Sequence, residues 1–168
     1  MKTKNIITSI IIIAVILGVA IWIGKPASGP SQKANINSFG GNSVLSPDEL
    51  SYDFGTISMA AGKVDHSFRI KNSGAEPITI SQIYTSCMCT SATLILGEKR
   101  TGPFGMPGHG FLPKINKVIG PSGEAALEVV FDPAAHGPAG VGPIDRVVYL
   151  ENNSGATLEL GIKANVRP

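Results

Sequence analysis

From Leu50 to the C-terminus, apolar side chains recur at every second position, the period of half-buried β-strands rather than of a helix. In KVDHSFRIKNSG, Val64, His66, Phe68 and Ile70 fall on one face, and Asp65, Ser67, Arg69 and Lys71 on the other. Asn72, Ser73 and Gly74 then supply a turn. Tyr52 and Phe54 alternate ahead of this segment, with Gly55 inviting a bend, and Ile78, Ile80 and the run from Ser81 to Tyr84 follow it. Ala92 to Leu96, then Leu127, Val129 and Phe131, then Val147 and Tyr149, and finally Leu158, Leu160, Ile162, Ala164 and Val166 complete the series. No amphipathic helix longer than two turns can be drawn in this region. With 20 Gly and 12 Pro in 168 residues, turns are abundant, and the pattern predicts an all-β, immunoglobulin-like sandwich of about seven strands.

The N-terminus has a different character. Residues 6–23, IITSIIIIAVILGVAIWI, carry no charge, and as a helix would span about 27 Å, close to a hydrocarbon core of about 30 Å. Trp22 stands at the end of the run, where an amphipathic ring prefers the headgroup level. Lys2 and Lys4 precede it, which favours an N-terminus in the cytoplasm and a C-terminal domain outside. A cleavable secretory signal is the rival reading, but no small-x-small site follows cleanly and Pro26 intrudes. Either way the domain is exported. The expected organisation is one N-terminal transmembrane helix in 1–24, a Gly-, Ser- and Pro-rich flexible linker in 25–47 and the sandwich in 48–168. Within the sandwich, residues 97–123 are expected to form a long inserted loop.

Charge excludes one class of partner. Of the 14 Lys and Arg, four (Lys2, Lys4, Lys25 and Lys33) lie before residue 35, whereas all 12 acids lie after it. The formal +2 therefore comes from the tail, and the domain carries ten bases against 12 acids. A nucleic-acid partner calls for a basic stripe on the folded domain, and none is visible.

Thr85-Ser86-Cys87-Met88-Cys89-Thr90 holds both cysteines and is the chain's one reactive cluster. If the stretch is extended, the two thiols share a face. Three roles are open to them: thiolate ligands of a soft metal, an easily reduced disulfide, or small apolar core groups. Met106 and His109, in the Gly-Pro-rich 97–123 segment, would complete a soft ligand set suited to copper if that segment folded back over the cysteines. His66, in phase with Val64 and Phe68, reads as a hydrogen-bonded structural residue, and His136 as a loop residue. No orienting acid or oxyanion hole marks a cysteine hydrolase, no carboxylate pair a glycosidase, and no Gly loop before a helix a phosphate site.

These residues carry a resemblance. Tyr52-Asp53-Phe54-Gly55 with Ile57, then Val64, His66, Phe68, Ile70, Asn72 and Gly74, then Pro77, Ile78 and Ile80, then Ser86 to Thr90, resemble the bacterial domain-of-unknown-function family numbered 1573. Val129-Val130-Phe131-Asp132 looks like its later strand, so the likeness is expected over residues 48–132. The resemblance implies an immunoglobulin-like domain akin to the Hydin and major-sperm-protein-like folds, in exported or surface proteins, with no established role. Met88 stands where the family usually has Gly, and 97–123 is longer than the family's usual connection. The expectation is a membrane-anchored, non-catalytic extracytoplasmic module that binds another protein or envelope component, without a cofactor. The alternative is an envelope copper-binding or thiol-redox protein built on Cys87 and Cys89 with Met106 and His109.

Overall fold

The computed structural model describes residues 44–168. The predicted membrane span, and all but the end of the predicted linker, lie outside the described residues. Among the described residues no helix is long and apolar enough to cross a membrane.

Among the described residues, ten strands form two five-stranded sheets. The first sheet runs in the order β1 (Leu45–Pro47), β3 (Val64–Asn72), β8 (Glu124–Phe131), β5 (Thr90–Leu96), β6 (Lys99–Phe104). The second runs β2 (Ser51–Ser58), β10 (Leu158–Arg167), β9 (Gly142–Asn152), β4 (Ile78–Thr85), β7 (Lys117–Ile119). All pairings are antiparallel except β2 with β10. The sandwich expected from alternation is therefore present, with more strands than alternation revealed. The additional ones include short edge pieces too brief to show a period. Leu45–Pro47 falls inside the predicted linker, yet it pairs with β3, and Leu45 is almost fully buried. Likewise 97–123 is not one loop: β6 and β7 occupy its two ends, leaving 105–116 as irregular chain.

Alternation becomes packing in β8, where Ala125, Leu127, Val129 and Phe131 are buried and the residues between them are not. They share the first sheet's inner face with Phe68, Ile70, Ala92 and Leu94, opposed by Ile80, Ile83, Val148, Leu150, Leu160 and Ile162 of the second. In β4 the phase slips, because a bulge between Ile80 and Gln82 lets both Ile80 and Ile83 face inward. In β9 the sequence VVYL is apolar on both faces. Val147 and Tyr149, the pair singled out by alternation, lie on the outer side, and Val148 and Leu150 are buried. Pairing with β10 decides this: Val148 sits opposite Leu160, and Leu150 opposite Leu158. Tyr149 instead stacks on Tyr84, with ring centroids 4.9 Å apart.

Among the few buried polar side chains, that of Asn72 ties the two sheets together. Asn72, the last residue of β3, donates from its amide nitrogen to the carbonyl oxygens of Glu76 (2.8 Å), Ile119 (3.0 Å) and Gly120 (3.1 Å). Its side-chain oxygen accepts from the Gly74 amide at 2.9 Å, closing the turn into β4. Its own backbone binds Ser122 and Gly123 on the turn into β8. At the other sheet edge, Gly102 has φ of +131°, and a Cβ there would lie 2.9 Å from the Ala92 carbonyl, so β6 can press against β5 only with glycine.

Two outcomes follow in urea denaturation. Leu127→Ala, at a fully buried site, should destabilise the domain by about 2–5 kcal/mol, because the surrounding sheets cannot collapse into the gap. Asn72→Ala leaves three carbonyls and one amide without their buried partner and should cost about 3 kcal/mol; a change below about 1 kcal/mol would show that water replaces the amide.

Candidate functional site

The two cysteines lie where the chain crosses from one sheet to the other. β4 of the second sheet ends at Thr85 and β5 of the first begins at Thr90, so residues 86–89 are a turn across the end of the sandwich. The extended conformation considered for this stretch is thus not adopted, because the two flanking strands belong to opposite sheets. Backbone bonds hold the turn on every side: Ser86 to the Val147 carbonyl (2.9 Å), Thr90 to that of Cys87 (3.1 Å), and Asp132 to that of Cys89 (2.8 Å). Beneath it the buried Thr85 hydroxyl shares its proton between the carbonyls of Cys87 (2.9 Å) and Thr90 (3.1 Å).

Cys87 and Cys89 are joined as a disulfide, with Cα atoms 5.3 Å apart. Of the three roles open from sequence, the oxidised pair is the state present here. The residues are 8% and 3% exposed, so attack on either sulfur is confined to a narrow approach, whereas Met88 between them is half exposed. The Cys89 amide lies 3.4 Å from the Cys87 sulfur. A thiolate at Cys87 would accept this N–H.

The partner that sequence reasoning missed is His136. Its Nε2 lies 3.2 Å from the Cys87 sulfur, and the ligand atoms of Cys87, Cys89 and His136 all fall within 4.8 Å of one another. The chain reaches this position through the turn after β8: the Asp132 carboxylate accepts from the Ala134 amide at 2.9 Å, and Gly137 bonds back to Ala134 at 2.9 Å. His136 is 49 residues from Cys87 and follows no period, so only its residue type hinted at a role. His66, expected to be a hydrogen-bonded structural residue, has its contacts on β2, β3 and the chain before them. It bonds Glu49 at 2.7 Å and stacks on Tyr52 with ring centroids 3.6 Å apart.

Met106 and His109 are brought to the same end. Gly105 accepts a 3.1 Å bond from the Thr85 amide, and the following turn, closed by His109 on Met106, borders the cysteines. Met106, His109, His136 and Arg146 line an open groove with Cys87 and Met88. The Nε of Arg146 is buried without a hydrogen-bond partner. The arrangement therefore offers a disulfide that opens to two sulfur ligands, one close imidazole, and further soft or basic groups along one groove.

The same segment forms a second surface. Pro103 and Phe104 at the end of β6, with Phe111, Pro113, Ile115 and Lys117, line a shallow apolar groove. β6 and β7, which flank it, are edge strands of opposite sheets, and Phe111 is 90% exposed.

Several solved structures are similar to this chain. The structure is similar to a Porphyromonas gingivalis W83 protein of unknown function, with 16% identity and a TM-score of 0.52 over 72% of this chain and 46% of that one. It is also similar to the ASH/PapD-like domain 7 of human CEP192 (11% identity, TM-score 0.42, 84% and 98% covered). The YadV chaperone is a third such structure (12% identity, TM-score 0.43, 75% and 52% covered). At 16% identity the likeness to the P. gingivalis protein concerns the fold alone, and this chain spans less than half of that protein. No curated protein matches the chain significantly. A family model described as "Protein of unknown function (DUF1573)" matches residues 45–100. The match begins at β1, ahead of the expected residue 48, and takes in the cysteine turn, while Val129 to Asp132 lie beyond it. Residues 45–100, from β1 into the start of β6, are thus similar to this DUF1573 family, and they are carried on an immunoglobulin-like sandwich.

Proposed function

We propose that the chain is a non-catalytic, membrane-tethered module outside the cytoplasm that docks an extended, acidic segment of another envelope protein in the groove between β6 and β7. The observation that carries this reading is the position of that groove. It lies between the edge strands of the two sheets, the positions at which an added strand can pair. Pro103, Phe104, Pro113 and Ile115 provide an apolar floor, and Phe111, 90% exposed, is a large apolar side chain with no burial of its own. Lys117 lines the groove and Lys114 is exposed beside it, so the rim favours carboxylates. The domain as a whole has more acids than bases, so this cationic rim is a local feature rather than a general one. The tether rests on the uncharged residues 6–23 and the lysines before them.

Protease added outside intact spheroplasts should digest the domain and leave a short membrane fragment; protection of the domain would overturn the proposed orientation. For the docking groove, a photo-crosslinking residue placed at Phe111 in cells should give a discrete adduct, and mass spectrometry should map the partner's site to an acidic stretch. Lys117→Glu should reduce the yield severalfold. An undiminished yield with Lys117→Glu, or an equal yield from a probe at the exposed Val141, would overturn the reading.

A further inference from the structure

We propose that Cys87, Cys89 and His136 form, once the disulfide is opened, a binding site for a soft monovalent metal ion, Cu(I), and that the disulfide is the closed state of that site. This goes beyond the docking groove and does not depend on it.

The first support is placement. The two sulfurs and Nε2 of His136 already lie within 4.8 Å of one another, with His136 3.2 Å from Cys87. Three ligands at about 2.0–2.3 Å from one ion stand roughly 4 Å from each other, so the trio needs only the sulfurs to part. The turn can hold the pair through that change. Its carbonyls are fixed by Thr85, Thr90 and Asp132, and of these residues only Thr90 also approaches a sulfur, its hydroxyl lying 3.7 Å from that of Cys89. The donor chemistry is the second support. Two thiolates and an imidazole, with the thioethers of Met106 and Met88 along the same groove, make a soft set; thioether in particular selects Cu(I) over the harder divalent ions. The third support is charge. Cu(I) with two thiolates carries a net charge of −1; the groove provides Arg146, whose buried Nε–H has no acceptor, and its one acid, Asp145, is paired with Lys163 at 3.8 Å.

The reactions balance as follows. A small dithiol or a dithiol protein attacks the disulfide and leaves as its own disulfide. Two electrons and two protons thereby pass to Cys87 and Cys89. Cu(I) then replaces the two thiol protons, which go to solvent, and takes the Nε2 lone pair of neutral His136; the remaining ring proton sits on Nδ1.

The test uses the full chain in detergent micelles, reduced with a dithiol that is then removed without air, and titrated with Cu(I) against a chromogenic chelator. The reduced chain should take one Cu(I), and the disulfide form none. Cys87→Ser should abolish uptake. His136→Ala, at an exposed position that does not endanger the core, should weaken binding by at least about tenfold, on the scale that even outer groups of metal sites contribute. Met106→Leu should weaken it less. The proposal is overturned if the chelator retains all the copper, if the oxidised chain binds equally, or if His136→Ala binds as tightly as the unaltered chain. Displacement of the copper by equimolar Zn(II) would equally overturn it.

Discussion

The side-chain amide of Asn72 is the interaction on which the arrangement of this sandwich depends. Apolar burial supplies most of the favourable free energy, but burial is indifferent to small slips between two greasy faces. A fully buried carboxamide is not indifferent, because every misplaced acceptor costs on the order of 1–3 kcal/mol. From the end of β3 it reaches the Ile119 and Gly120 carbonyls at the end of β7, in the other sheet, and the turn into β4. One residue thus aligns the sheets and sets where β4 begins.

The opposite end of β4 is secured by a second buried polar group, the Thr85 hydroxyl. Eight residues of strand separate the ends by about 25 Å, at about 3.3 Å per residue. Because β4 and β5 belong to different sheets, the four residues after Thr85 must cross the sandwich in a turn, and that turn holds both cysteines. The crossing also explains the neighbours of the site. At this end converge the chain leaving β6, the turn after β8 and the middle of β9, which bring Met106 and His109, His136, and Arg146 respectively. A short cysteine spacing that says little in isolation becomes a site because four parts of the chain meet there.

The segment 105–116 joins the two surfaces of interest. Its first part borders the cysteines through the Gly105–Thr85 bond, and its second part, with Phe111 and Pro113, covers the side of the sandwich between the two edge strands. The length that made 97–123 stand out in the sequence is used at both ends for strand pairing and in the middle for surface.

Much of the fold was legible in the chain because β-strands write their burial locally, every second residue. β8 and β3 could be read side chain by side chain, and the turn after Asn72 could be read from its residues. The reactive pair was legible too, since it holds the only two cysteines. Three things were not. The inward face of VVYL in β9 was set by its register with β10, because both faces are apolar. The three-residue strands β1 and β7 exist only through their partners. His136 became a neighbour of Cys87 only when the turn after β8 folded over the cysteine crossing. Alternation belongs to neighbouring residues, so the chain alone determined the sandwich; proximity across 49 residues belongs to the packing of two sheets, so only the tertiary structure decided the site.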